Sequence, residues 1–310
     1  MKNKILLFVV ILLSAVLVFI DKEAKKNNYV VPLPIEEGTS PITIKLLNEA
    51  NGNIMEINLE DYVVGVVSAE MPASFNLEAL KAQAVAARTY ALYKKQTRNL
   101  NYDVIIGTKD QAYQNNKELL TKWGLDFFKY FLKVREAVKD TQSEVITYNG
   151  ELINAFYFSM SNGYTENCEL VFVADLPYLN SVPSKWDNES LQNYQYTKTM
   201  SQEEFCEKLN ITCHSLIINN EIRSGANRVL TIDINGTTWK GTTIRSLLGL
   251  RSTDFQIDIK ENEINITTKG YGHGVGMSQY GANGMANSGY SYQDILKYYY
   301  QNTEIVKINV

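Results

Sequence analysis

Only two histidines and three cysteines occur in 310 residues, and prolines number six. Three cysteines, at 168, 206 and 213, are too few for a disulfide framework. One bridge between Cys206 and Cys213 fits an extracytoplasmic chain, and buried or unpaired thiols are the alternative. The same segment, "CEKLNITCH", sets Cys213 beside His214, but its spacing matches no common zinc-ligand pattern. Sequence repeats and low-complexity tracts are absent, which excludes solenoid and disordered classes. Basic excess is missing too. Residues 1–26 carry five lysines against Asp21 and Glu23, a balance of +3, which leaves about −7 on the remainder of a chain of formal charge −4. An acidic body disfavours nucleic acid and other polyanions as partners.

An apolar fraction of 45% is ample for a buried core. One long hydrophobic run lies at the start, where Ile5 to Ile20 holds only Ser14 as a polar residue behind lysines at 2 and 4. At about 1.5 Å per residue it makes a helix roughly 24 Å long, which spans a thinned bilayer with its flanking lysines snorkelling. A cleaved signal peptide is the rival reading, yet "FIDKEAKK" offers no small-residue cleavage site. The sequence therefore divides into an N-terminal transmembrane helix over 1–20, a tether over 21–40 with Pro32 and Pro34, and an extracytoplasmic domain over 41–310.

Within 41–310 the pattern is α+β. Alternating strands flank Asn51-Gly52, and turns at Asn149-Gly150 and Asn235-Gly236 predict further hairpins. A helix with Glu60 and Asp61 in its first turn must stop before Pro72, because the residue ahead of a proline is driven from the α region. That puts Met71 in extended backbone and Glu70 at the last turn. An alanine-rich helix follows behind the cap Asn76, with Ala79, Ala82, Ala84, Ala86, Ala87 and Ala91 admitting close neighbours. A last amphipathic helix, capped by Ser291, aligns Tyr292, Ile295, Leu296 and Tyr299.

Glu70 is the first candidate for chemistry. Its place at a helix C-terminus among Val67, Met71 and Phe75 combines desolvation with the negative end of the helix dipole, and both raise a carboxyl pKa. Such a group works as a general acid, and an ordinary exposed glutamate is the plain alternative. The second candidate is "GYGHGVGMSQYGANGMANSGY", where glycines crowd around His273. A glycine-rich loop lets backbone approach a ligand, and it also serves ordinary turns.

The block "LEDYVVGVVSAEMPASFNLEALKAQAVAARTYAL" and the later "GYGHGVGMSQYGANGMANSGYSYQDILKYYYQNTEI" resemble the stage II sporulation protein D family. "FYFSMSNGYTEN", "LPYLNSVPS" and "LLGLRSTDFQI" are similar to the same family in the same order. The resemblance implies a two-lobed domain with a central substrate groove, carried outside the membrane on the mother-cell side of the septal space. It further implies a lytic transglycosylase that acts on peptidoglycan strands lacking stem peptides, without a cofactor. The alternative is a non-catalytic amidase enhancer or wall-binding module, since a modifier of a cell-wall amidase shares the domain. Partners implied are an amidase-endopeptidase that removes stem peptides and a polytopic membrane protein of the engulfment complex.

The resemblance assigns Glu70, of the EMP motif, as the catalytic acid and base. Arg88 is expected to pair with the lactyl carboxylate of a denuded muramic acid, with a surface bridge to Glu78 as the alternative. Gln111 and Tyr113 in "KDQAYQ", Tyr157, Ser159, Ser161 and Asn162 in "FYFSMSNG", and His273, Ser278, Gln279 and Tyr280 in the glycine-rich block are expected to bind sugar. His273 is expected opposite Glu70. Some relatives carry cysteine and histidine zinc ligands just before the Gln-x-Tyr block. Here "NYDVIIGTKDQAY" supplies none, and Phe158 stands where many relatives place a histidine, so zinc is not carried over.

Overall fold

A computed structural model describes residues 42–172, 174–187, 194–212, 215–261 and 263–308. The segments 1–20 and 21–40, read as anchor and tether, lie outside them, as do Cys213 and His214. Among the described residues no helix is long and apolar enough to cross a membrane.

The chain is α+β, with several small sheets in place of one large one. Strands β1 (Thr43–Asn48) and β2 (Asn53–Asn58) form the first hairpin. Gly52 takes the left-handed turn position at φ +71°. Helix α1 (Leu59–Glu70) starts where Asn58 accepts the Glu60 amide and ends at Met71, extended at φ −113°, ψ 144° ahead of Pro72. Helix α2 (Leu77–Thr97) opens on Asn76, whose side chain accepts the Glu78 amide. Its six named alanines are all buried. That small-residue surface lets α2 run through the centre of the larger core and pack on several neighbours at once.

Beyond the short strand β3 (Val104–Ile105), parallel to β1, come α3 (Asn116–Trp123) and α4 (Phe127–Asp140). Phe127, Phe131, Val134, Ala137 and Val138 form the buried stripe of α4, at the spacing of one helical face. Strands β4 (Glu144–Tyr148) and β5 (Glu151–Leu152) turn at Asn149-Gly150, with φ +52° and +84°. Both signs are those of the hairpin turn that an Asn-Gly pair favours. The strand β6 (Tyr157–Phe158) and the single turn α5 (Cys168–Val171) complete this half of the chain.

Residues 195–269 build a separate core. Strands β7 (Gln195–Ser201), β8 (Ile218–Arg223), β9 (Val229–Ile234), β10 (Thr237–Lys240), β11 (Phe255–Lys260) and β12 (Glu263–Lys269) make two three-stranded antiparallel sheets. Helices α6 (Gln202–Leu209) and α7 (Gly241–Leu248) cover them, burying Phe205, Leu209, Ile244 and Leu248. Fully burying each such side chain is worth about 1.5–3 kcal/mol. Cys206 is disulfide-bonded, whereas Cys168 is a buried free thiol.

The chain then returns to the larger core through β13 (Met277–Ser278), α8 (Gln279–Asn287), α9 (Tyr292–Tyr299) and β14 (Glu304–Lys307). β13 lies parallel to β6, with Met277 opposite Tyr157 and Ser278 opposite Phe158. Nine of the 21 residues of the glycine-rich block, Gln279–Asn287, are helical. Gly281 in α8 is required by packing: a Cβ there would stand 2.1 Å from the Tyr299 hydroxyl and 2.6 Å from Ser184 Oγ.

Candidate active site

The end of α1 carries Glu70 to the point where three separated segments meet. The loop before α3 brings the Ala112 amide, which donates to Glu70 Oε1 at 2.6 Å. β6 brings the phenol of Tyr157 and the start of α8 brings the Gln279 amide, each near enough to favour the charged form of the carboxyl. Gln111, 1% exposed, braces the phenol: its Nε2 donates to Tyr157 Oη at 2.8 Å, and its Oε1 accepts from Tyr62 at 2.7 Å. Gln279 reaches on to Gln83 Oε1 at 3.4 Å.

Burial lifts the Glu70 carboxyl above its ordinary range. The Ala112 amide, the Tyr157 and Gln279 side chains and the nearby Lys122 ammonium oppose this, each favouring the charged form. Lys122 is itself held, donating to Ser68 O at 2.9 Å and Gln114 Oε1 at 3.2 Å. Desolvation is the larger influence, so the proton is retained to higher pH than on an exposed glutamate, while donors stand ready for the carboxylate left after it departs. One group thus has both protonation states prepared.

Neighbouring carboxylates are otherwise engaged. Glu60 receives Arg88 through two hydrogen bonds, at 2.9 and 2.6 Å. Asp110 receives both ends of the Arg98 guanidinium and the Tyr90 hydroxyl, and Arg98 helps hold its pKa low against burial. Glu78 bonds Lys81 and accepts the Tyr292 amide at the start of α9.

His273 does not touch Glu70. Its Nε2 meets the Tyr157 backbone carbonyl at 3.0 Å and its Nδ1 accepts the Val275 amide at 3.1 Å. These bonds assign the Nε2-protonated tautomer. Burial and the Arg245 and Arg228 guanidiniums push its pKa down to about 3, so the ring is neutral. Phe156, Phe158 and Phe172 surround it. His273 instead lines a cavity of about 350 Å³ with Tyr90, Asp110, Phe156, Tyr157, Phe172, Thr242 and Arg245.

Other expected residues are dispersed. Tyr113 stacks on Tyr62 at 5.9 Å and fills the space above Gly65. Tyr280 is half-buried against Phe75, and its amide donates to the Ser159 carbonyl, which fixes Ser159 beside the site. Arg88 is a correction: wholly buried, it is spent on Glu60 and makes no bridge to Glu78. Ser161 and Ser278 are likewise turned inward. Both donate to Asp187, together with Ser184, at 2.6–2.8 Å. Asn162 ties the two cores together, donating to Ala226 O and Asp254 Oδ2, both at 2.8 Å. Asp187 was missed because nothing around "SKWDN" marks it; only the fold collects its serines.

No group of three metal-ligating side chains occurs among the described residues. A family profile described as stage II sporulation protein matches residues 48–148. Stage II sporulation protein D of Bacillus subtilis is 43% identical over 274 residues, covering 86% of this chain and 79% of the relative. The protein of the same name from Bacillus amyloliquefaciens is 43% identical over 273 residues, with the same coverage. The amidase enhancer of Bacillus subtilis is 32% identical over 300 residues, covering 78% of this chain but 40% of the longer relative. With that identity over most of both chains, this protein belongs to the stage II sporulation protein D family.

Proposed function

We propose that the chain is a membrane-anchored lytic transglycosylase of peptidoglycan, active during engulfment in endospore formation, with Glu70 as its acid and base. The observation that carries the reading is the desolvated Glu70 carboxyl with donors arranged for its conjugate base. Membership of a sporulation family supports the setting.

In the reaction, the Glu70 proton passes to the glycosidic oxygen between N-acetylmuramic acid and N-acetylglucosamine. The bond from that oxygen to the muramoyl C1 breaks, and the glucosamine leaves with a hydroxyl. The muramoyl C6 oxygen then bonds C1 while its proton goes to the Glu70 carboxylate. A 1,6-anhydro ring closes, the acid is restored and no water is consumed. The Ala112 amide and the Tyr157 and Gln279 side chains carry the charge in between. A hydrolysing glycosidase needs a second carboxylate about 5–9.5 Å away. Glu60 and Asp110 are bound by arginines, and Asp61 lies nine residues up α1, about 13 Å by helical rise. A lone acid suits attack by the sugar's own hydroxyl.

The segment over 1–20 would hold the domain at the membrane, facing the septal space on the mother-cell side. Stem peptides would be removed beforehand by an amidase-endopeptidase partner, with a polytopic membrane protein in the same complex. The likeness to an amidase enhancer favours a second reading, a non-catalytic stimulator bound to the wall. The two part on strand length. Denuded strands incubated with the purified full-length chain should shorten, and Glu70→Gln should leave them intact. Unchanged strands together with a stimulated amidase would establish the second reading instead.

A further inference from the structure

The cavity beyond Tyr157 lies where the two cores face each other. From the larger core come Tyr90, Asp110, Phe156, Tyr157, Val171 and Phe172; from the smaller come Thr242 and Arg245, both in α7. Tyr90, Phe156, Tyr157 and Phe172 stand in its wall among polar residues, and such rings suit the apolar face of a sugar.

Charge in this cavity is unbalanced. Asp110 lines it, but Arg98 binds that carboxylate at 2.7 and 3.0 Å, with Lys94 at 3.8 Å. Lys109 also lines it, and its ammonium is drawn away to Glu49 at 2.7 Å. Arg245 has no such acid. Its only hydrogen bond among the described residues is a long one, from Nε to the Leu250 carbonyl at 3.4 Å. Behind the cavity wall, the Arg228 guanidinium packs within 3 Å of where a Gly274 Cβ would stand. Arg228 is 1% exposed, and its Nε and Nη1 have no partner among the described residues. Two guanidiniums therefore act on the His273 side of the cavity, and the ring between them stays neutral. Glu166 and Asp254 offset the charge of Arg228, which leaves Arg245 without a carboxylate of its own among the described residues. Burying a cation so is costly, and a carboxylate arriving from outside relieves that cost.

We propose that this cavity is a subsite for an acidic sugar, with the Arg245 guanidinium receiving its carboxylate and the Phe156, Tyr157 and Phe172 rings receiving its apolar face. Resting on the function proposed above, the sugar is the muramic acid of a denuded strand, whose free lactyl carboxylate becomes an amide wherever a stem peptide is attached. Tyr157 is shared by the cavity and Glu70, so the acidic sugar sits in a subsite next to the bond to be cut. Arg245 then selects for stripped strands, since a lactyl amide presents no anion to it.

The test is direct binding to the purified full-length chain carrying Glu70→Gln, so that no result depends on turnover. Denuded strands are compared with the same strands after chemical amidation of the lactyl carboxylate and with carboxylate-free chitooligosaccharides of equal length. Denuded strands should bind about 10- to 100-fold more tightly than the amidated ones, the worth of a hydrogen-bonded charge pair. Adding Arg245→Ala should erase that difference and leave chitooligosaccharide binding unchanged, while Arg245→Lys should keep part of it. Equal binding of denuded and amidated strands overturns the proposal without any variant. So does an Arg245→Ala chain that still distinguishes them, or one with an intact melting transition that loses all three ligands equally. If strands bind with this preference but the chain with Glu70 intact never shortens them, the subsite stands and the lytic reading fails.

Discussion

Arg88 donates from Nε and Nη2 to the two carboxylate oxygens of Glu60, 2.9 and 2.6 Å away, joining α2 to the first turn of α1 inside the larger core. Its Nη1 also reaches the Glu144 carbonyl at 3.1 Å, so one side chain fixes two helices and the edge of β4. Truncation to alanine would leave Glu60 charged and buried with only the distant Ser143 amide, 3.4 Å away, for a partner. Arg88→Ala should cost about 3–5 kcal/mol of stability. The double variant Arg88→Met with Glu60→Leu should recover much of it. Calorimetric melting checks both; an Arg88→Ala chain that melts normally but fails to bind strands would return Arg88 to the sugar site.

Glu70 must hold its proton to act. Strand cleavage should therefore persist at low pH and fall as pH rises through the Glu70 pKa, which burial has raised. Tyr157→Phe removes a donor that favours the charged form, so the alkaline limb should move further upward. Glu70→Gln should lower kcat about 10²- to 10⁴-fold or more. An alkaline limb moved downward by Tyr157→Phe would mean that the phenol does not stabilise the carboxylate.

Gly276 joins the His273 loop to β13 at φ +78°, and a Cβ on it would stand 2.0 Å from the Phe156 carbonyl oxygen. Gly276→Ala meets both a left-handed backbone cost and a clash with main chain that cannot turn aside. The two together amount to about 2–5 kcal/mol. The β6–β13 pairing should fail first, seen as lost amide protection at Met277 in hydrogen exchange, with β4 and β14 unaffected.

His273 is neutral, its pKa pushed down to about 3 by burial and two arginines. A histidine with a depressed native pKa is charged more readily in the unfolded chain, so stability should decline as pH falls from about 6.5 towards 3. His273→Gln should flatten that decline. NMR of the ring should show no titration between pH 5 and 8, and a midpoint near 6.5 would contradict the burial.

Much of the local structure can be read from residues. Asn58, Asn76 and Ser291 cap their helices through their side chains. Pro72 ends α1 at Glu70, and the Asn-Gly pairs turn where they should. The buried stripe of α4 follows an i, i+4, i+7 pattern, which the exposed aromatics of the same helix obscure. The eventual partners of polar side chains were not legible. Arg88 had several acids within reach and Glu60 won because the α1–α2 crossing buries both. Ser161 and Ser278 look like sugar-binding hydroxyls until Asp187, far away in sequence, is seen to claim them. The glycine spacing around His273 does not reveal that its ring bonds back to the Tyr157 carbonyl of β6 and lines the cavity shared with Arg245.

What Glu70 does to a glycan strand separates a transglycosylase from a hydrolase. Mass spectrometry of denuded strands cut by the purified chain reads the new ends directly. The prediction is 1,6-anhydromuramoyl ends, absent with Glu70→Gln; reducing ends carrying an added water would contradict it, since they require a second acid that this site does not offer.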